Sequence, residues 1–68
     1  MKTRKANFVI EILEKNGFMI LRQKGSYIIY KKENISVIVP YHGSNKEIPI
    51  GTFLSIVRQS KLPKDLFE

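Results

Sequence analysis

The chain has 68 residues, 43% of them hydrophobic and 26% charged, with no cysteine and a formal net charge of +6. A chain this short closes one hydrophobic core with nothing left for a second, so residues 1–68 read as a single domain, and the lack of cysteine excludes disulfides and thiolate metal cages. The positive charge makes nucleic acid the first partner to consider, no apolar run approaches the ~20 residues of a membrane span, and the start Met1-Lys2-Thr3-Arg4-Lys5 lacks the apolar block of a signal peptide, which leaves the cytoplasm as the expected compartment.

Over residues 3–16 the side chains Phe8, Val9, Ile12 and Leu13 recur at the spacing of a helix that buries one face. Ile10 lies off that stripe and is expected at the surface. Asn16-Gly17 ends the helix: Gly17 is suited to the left-handed conformation, and Phe18 would fold back on the last turn. Three β-prone runs follow at 18–23, 27–32 and 35–40, separated by Lys24-Gly25-Ser26 and Glu33-Asn34. Separators of hairpin length predict an antiparallel meander, since they are too short for a parallel crossover. Pro40 stops the third strand, and residues 41–49 read as a loop. Gly51-Thr52 opens a second amphipathic helix with Ile50, Phe53, Leu54 and Val57 on its apolar side and Ser55 and Gln59 opposite. Pro63 terminates it, and Asp65-Leu66-Phe67 is expected to return apolar surface to the core.

Helix, three strands, helix is an α+β order. Two helices on one face of a three-stranded antiparallel sheet, α-β-β-β-α, is the arrangement of double-stranded-RNA-binding domains.

The charge is unevenly spread. Residues 15–32 hold five cations, Lys15, Arg22, Lys24, Lys31 and Lys32, and no acid. At the Lys24-Gly25-Ser26 turn a positive φ at Gly25 leaves backbone uncovered, so that N–H groups, the Ser26 hydroxyl and the Lys24 ammonium can approach one phosphate together. Flanked by Arg22-Gln23 and followed at a distance by Gly51-Thr52-Phe53-Leu54-Ser55-Ile56-Val57-Arg58-Gln59, this turn resembles the signature of the HicA toxins. In that family an Arg-Gln-Lys-Gly-Ser-His turn lies between two strands, and a Gly-Thr opens a late helix bearing Ile and Arg-Gln. The motifs span residues 17–62, about two thirds of the chain, and the first helix agrees in placement only.

The resemblance implies the same α+β fold, a metal-independent messenger-RNA endoribonuclease of a type II toxin–antitoxin pair, no cofactor, and a HicB-like antitoxin that covers the RNA-binding surface. One motif residue departs. The position of the family's catalytic histidine is Tyr27. Cleaving RNA without a metal needs a group that takes the proton from a 2′-hydroxyl and another that protonates the leaving oxygen, and imidazole, titrating near pH 6.5, suits both roles. A phenol ordinarily ionises near pH 10, so the exchange leaves a poor base, and loss of such a group costs ~10²–10⁴ in rate. The expectation is an impaired toxin; the alternative is a natural member in which Tyr27 stacks on a base and catalysis has been lost or relocated. His42, after Pro40-Tyr41, falls where family members often carry Pro-x-His. It reads either as a second acid/base or phosphate ligand, or as a loop residue that hydrogen-bonds the backbone and holds the turn.

Arg22, Gln23, Lys24, Gly25, Ser26, Lys31 and Arg58 are the candidate RNA-binding residues; Arg58 reads equally as a solvated charge on the helix flank. Tyr30 and Tyr41 suit either stacking on bases or packing in the sheet. No paired carboxylates, metal-spaced His/Asp/Glu cluster or Gly-rich nucleotide loop points to another reaction. The rival reading is a non-catalytic RNA-binding module of the double-stranded-RNA-binding type, which wants basic residues on the second helix, where this chain has only Arg58; a protein–protein adaptor, with no affinity for RNA, is a third. Spacing alone leaves open whether Tyr27 shares a face with Arg22 or with Gln23.

Overall fold

A computed structural model describes residues 2–43 and 46–68, so the expected 41–49 loop is described apart from positions 44 and 45. The first helix, α1 (Ala6–Lys15), buries Ala6, Val9 and Leu13 on one face, with Phe8, Ile10 and Ile12 packed at its margins. It starts at Ala6 and not near Thr3, because the preceding residues pair elsewhere. Lys5 is extended and bridges Glu47, the Ile48 N–H donates to the Arg4 carbonyl at 3.0 Å, and the Thr3 hydroxyl donates to the Ile48 carbonyl. Ile10 is also partly buried against the core, where surface exposure was expected.

At its C-terminus α1 closes as its sequence predicts. Gly17 adopts φ +93°, its N–H donates to Glu14, and the Phe18 N–H donates to the Leu13 carbonyl at 3.0 Å. This is the paired-bond termination that a glycine after a helix permits, and it turns Phe18 into the core. Lys32 reinforces it, donating from Nζ to the Asn16 carbonyl at 2.8 Å, where a cation complements the helix dipole.

Phe18, taken into the helix cap, is lost to the first strand. The strands are therefore β1 (Met19–Lys24), β2 (Tyr27–Lys32) and β3 (Ile35–Pro40), in antiparallel order β1-β2-β3. β2 pairs with β3 from Tyr27↔Pro40 to Lys32↔Ile35, and with β1 from Met19↔Lys31 to Lys24↔Tyr27, with a shift of register between Ile20 and Arg22. Ile28, Tyr30, Val37 and Val39 face the helices and are buried; Tyr27, Lys31, Ser36 and Ile38 face away and are exposed.

The second helix, α2 (Ile50–Ser60), lies against β3. Its buried stripe is Phe53, Ile56, Val57 and Ser60. Ile50 and Leu54, expected on that stripe, are largely exposed, because the axis is rotated so that the 53-56-57-60 row meets the sheet. The helix stops before Pro63, at Lys61 in the left-handed conformation; the buried Ser60 hydroxyl donates to Val57 at 2.8 Å and accepts from the Leu62 N–H. The final 3-10 turn, Lys64–Phe67, buries Phe67 edge-on against Phe53 at 6.1 Å, returning apolar surface to the core as expected.

Tyr30 joins the layers, its hydroxyl donating to Glu14 of α1 at 3.3 Å. At 3% exposure Tyr30 is unavailable for stacking on a base. Burial first, and then the Glu14 charge, raise its pKa above the ordinary 10.0. The folded state thus holds this proton more tightly than the unfolded chain, so the contribution is complete below about pH 10 and is lost as pH rises through the folded value. Tyr30→Phe should cost about 0.5–1 kcal/mol at neutral pH in urea titrations. It should also flatten the fall in stability of the wild-type chain above about pH 10.

Candidate functional site

The register settles the open question of faces. Lys24 stands directly opposite Tyr27, and Arg22 opposite Ile29, so Arg22, Lys24, Tyr27 and Lys31 share the open face of the sheet. Gln23, opposite the buried Ile28, belongs to the helix side but is exposed, since neither helix reaches over β1. Of the five cations in residues 15–32, Arg22, Lys24 and Lys31 therefore make up the open-face field. Lys15 is held by Glu11 at 3.4 Å on the solvent side of α1, and Lys32 is committed to the α1 cap.

The β1–β2 turn is the two-residue Gly25-Ser26, with Gly25 at φ +58° and open space around its Cα. Its outer side is exposed, and its inner side is anchored by the Tyr41 N–H, which donates to the Ser26 carbonyl at 2.6 Å. That bond and the Tyr27↔Pro40 pair bring the end of β3 beside the start of β2. Tyr27, 53% exposed, and His42 consequently line one shallow depression of about 450 Å³, although 15 positions separate them in the chain. Pro40, Lys46, Glu47, Pro49 and Thr52 complete its walls.

Three features of this depression suit an anionic ligand. The first turn of α2 adjoins it, with no acid and no side-chain cap, so the positive end of the helix faces the site. Lys46 adds a cation, with Glu47 as the one acid of the wall. His42 is exposed, and among the described residues no side-chain hydrogen bond engages its ring. Lys46 and Glu47 carry no motif in the sequence; they reach the site because residues 46–48 bridge back to 4–6. Among the described residues no group of three His, Asp or Glu side chains could hold a metal ion.

Arg58 is not brought to this depression. It lines a different one, of about 650 Å³, at the other end of α2 with Leu54, Lys61 and Lys64. Tyr41 is half-buried against the core.

Comparison with protein families matches residues 7–62 to the HicA toxin of bacterial toxin-antitoxin systems. The chain belongs to this family. No curated protein matches it significantly. The HicA match runs from within α1 through Leu62 and so takes in the Gly25-Ser26 turn, Tyr27, His42 and α2. Among the described residues no helix is long and apolar enough to cross a membrane.

The turn's geometry makes a prediction independent of ligand. Gly25→Ala meets no neighbour but must hold a left-handed backbone, so it should cost about 1 kcal/mol by urea denaturation, and Gly25→Asn should cost less.

Proposed function

We propose that residues 1–68 form one HicA-type toxin domain acting in the cytoplasm, which engages messenger RNA through the open face of its sheet and whose metal-independent endoribonuclease activity is weakened by Tyr27. The observation that carries this reading is the register that sets Tyr27 opposite Lys24 and beside Arg22, with His42 on the same depression. Arg22, Lys24 and Lys31 serve as phosphate contacts. The Gly25-Ser26 backbone and the Ser26 hydroxyl position a phosphate at the end of the hairpin, whereas Gln23, on the helix side of β1, and Arg58, at the other end of α2, lie off that path.

In the cleavage reaction the 2′-hydroxyl attacks the adjacent phosphate as its proton is removed, and the leaving oxygen is protonated. A histidine at position 27 would supply the first of these transfers, with His42 placed for the second. The phenol of Tyr27 retains an aromatic face for a base but lacks the imidazole that this transfer calls for. A HicB-like antitoxin is the protein partner that membership of a toxin–antitoxin family calls for.

The Arg22→Ala/Lys24→Ala double variant should stay folded, both side chains being exposed, and bind RNA more weakly. Each lost phosphate contact should reduce the slope of log affinity against log salt by roughly 0.7 for single strands. An unchanged slope in the folded variant would take the hairpin out of the site.

Restoring imidazole tests the chemistry. Tyr27→His should cleave RNA at least ~100-fold faster than the Tyr27 form, in the presence of EDTA, and should arrest growth when expressed without antitoxin. Equal cleavage by both forms would shift the reaction to His42. If both forms bind RNA and neither cuts it, the chain is a non-catalytic RNA-binding module.

A further inference from the structure

β1 runs along the sheet edge with all six of its residues exposed. Met19, Ile20 and Leu21 are 74%, 55% and 56% exposed, so three consecutive apolar side chains line an edge whose outward N–H and C=O groups have no second strand among the described residues. Such an edge pairs readily with another extended chain, and proteins ordinarily blunt it with charge, proline, a bulge or a covering helix. Met19-Ile20-Leu21 contains no charge and no proline, and the helices lie toward β3, at the opposite edge. The register shift between Ile20 and Arg22 is the one irregularity, and it leaves the three side chains uncovered.

The chemistry of the strand narrows the occupant. Met19 lies on the open face and Ile20 on the helix side, so an added strand would find apolar contact on both of its own faces. Toward the turn, Arg22 and Lys24 present cations, and the strand carries no acid. A second copy of the chain is a poor fit, because it would bring the same cations and another +6 of net charge to the contact. An acidic partner is a good one.

We propose that β1 is the docking edge for the antitoxin, which adds to the sheet an extended segment that is apolar along Met19-Ile20-Leu21 and acidic along Arg22 and Lys24. This rests on the reading that the chain has a protein antitoxin. A segment seated there competes with RNA for Arg22 and Lys24, so inhibition would follow from occupying the binding cations without touching Tyr27.

The material for the test is the chain in complex with the product of the gene adjoining its own. Strand addition should slow hydrogen exchange at alternate amides of β1 by at least ~100-fold relative to the free chain. Met19→Thr/Leu21→Thr, which keeps both the charge and the strand preference, should bind that protein at least ~10-fold more weakly while retaining the wild-type melting curve and RNA affinity. A complex with unprotected β1 amides, or full affinity in the double variant, would overturn the docking edge and leave the antitoxin reading intact. Protection of the same amides by RNA alone, or by self-association of the free chain, would assign the edge to that partner instead. Failure of the two proteins to form any complex would remove the antitoxin reading and the docking edge together.

Discussion

β2 pairs with β3 at all six of its positions and with β1 through a two-residue turn, and this double pairing is the constraint on which the other features depend. With side chains alternating at period two, it sends Ile28 and Tyr30 into the helix layer and Tyr27, Ile29 and Lys31 to the open face. A slip of one residue would exchange the sets, exposing two core residues and driving the Lys31 ammonium beneath the helices with no partner for its charge. Core and candidate site are thus two sides of one register. The hydrophobic contacts that stabilise the domain are also what hold Tyr27 opposite Lys24.

The second constraint is coverage. α1 and α2 are ten and eleven residues long, and with the terminal turn they shield the β2–β3 side of the sheet and leave β1 bare. Small domains bury a smaller share of their surface than large ones, and here the shortfall falls on one strand. That strand carries the basic hairpin. The part of the sheet that contributes least to the core therefore has its backbone and cations free for partners, whereas the strand that packs best, β3, holds the other wall of the depression.

How far the sequence reveals this structure differs from element to element. β2 and β3 are readable to the residue, because alternation and the Glu33-Asn34 and Pro40 boundaries agree. The closing of α1 at Gly17 is readable because a specific backbone conformation demands a specific residue. The start of α1 is not: residues 3–5 have adequate helix propensity, and a long-range bridge to 46–48 overrides it. The buried face of α2 was displaced by its rotation, since Ile50 and Leu54 and the true row at Phe53, Ile56 and Val57 are similarly apolar and only the sheet decides between them. At the site, the motif residues of the hairpin and His42 are visible in the chain, but the register that groups Tyr27 with Arg22 and the arrival of Lys46 are products of tertiary pairing.

Tyr27 shows why the fold is easier to read than the reaction. It opens a strand, is half exposed and stands opposite Lys24, so the sheet asks of that position only an aromatic or β-prone side chain on its outer face. Histidine and tyrosine both meet that demand. What separates them is proton transfer near neutral pH, which contributes nothing to folding and leaves no mark on packing, register or burial. The family match covers residues 7–62 and so includes Tyr27, in a chain that carries tyrosine and not histidine at that strand position. Kinship here follows the residues that build the sheet and its hairpin, and the proposed chemistry is a separate demand, placed on a side chain that the sheet merely presents.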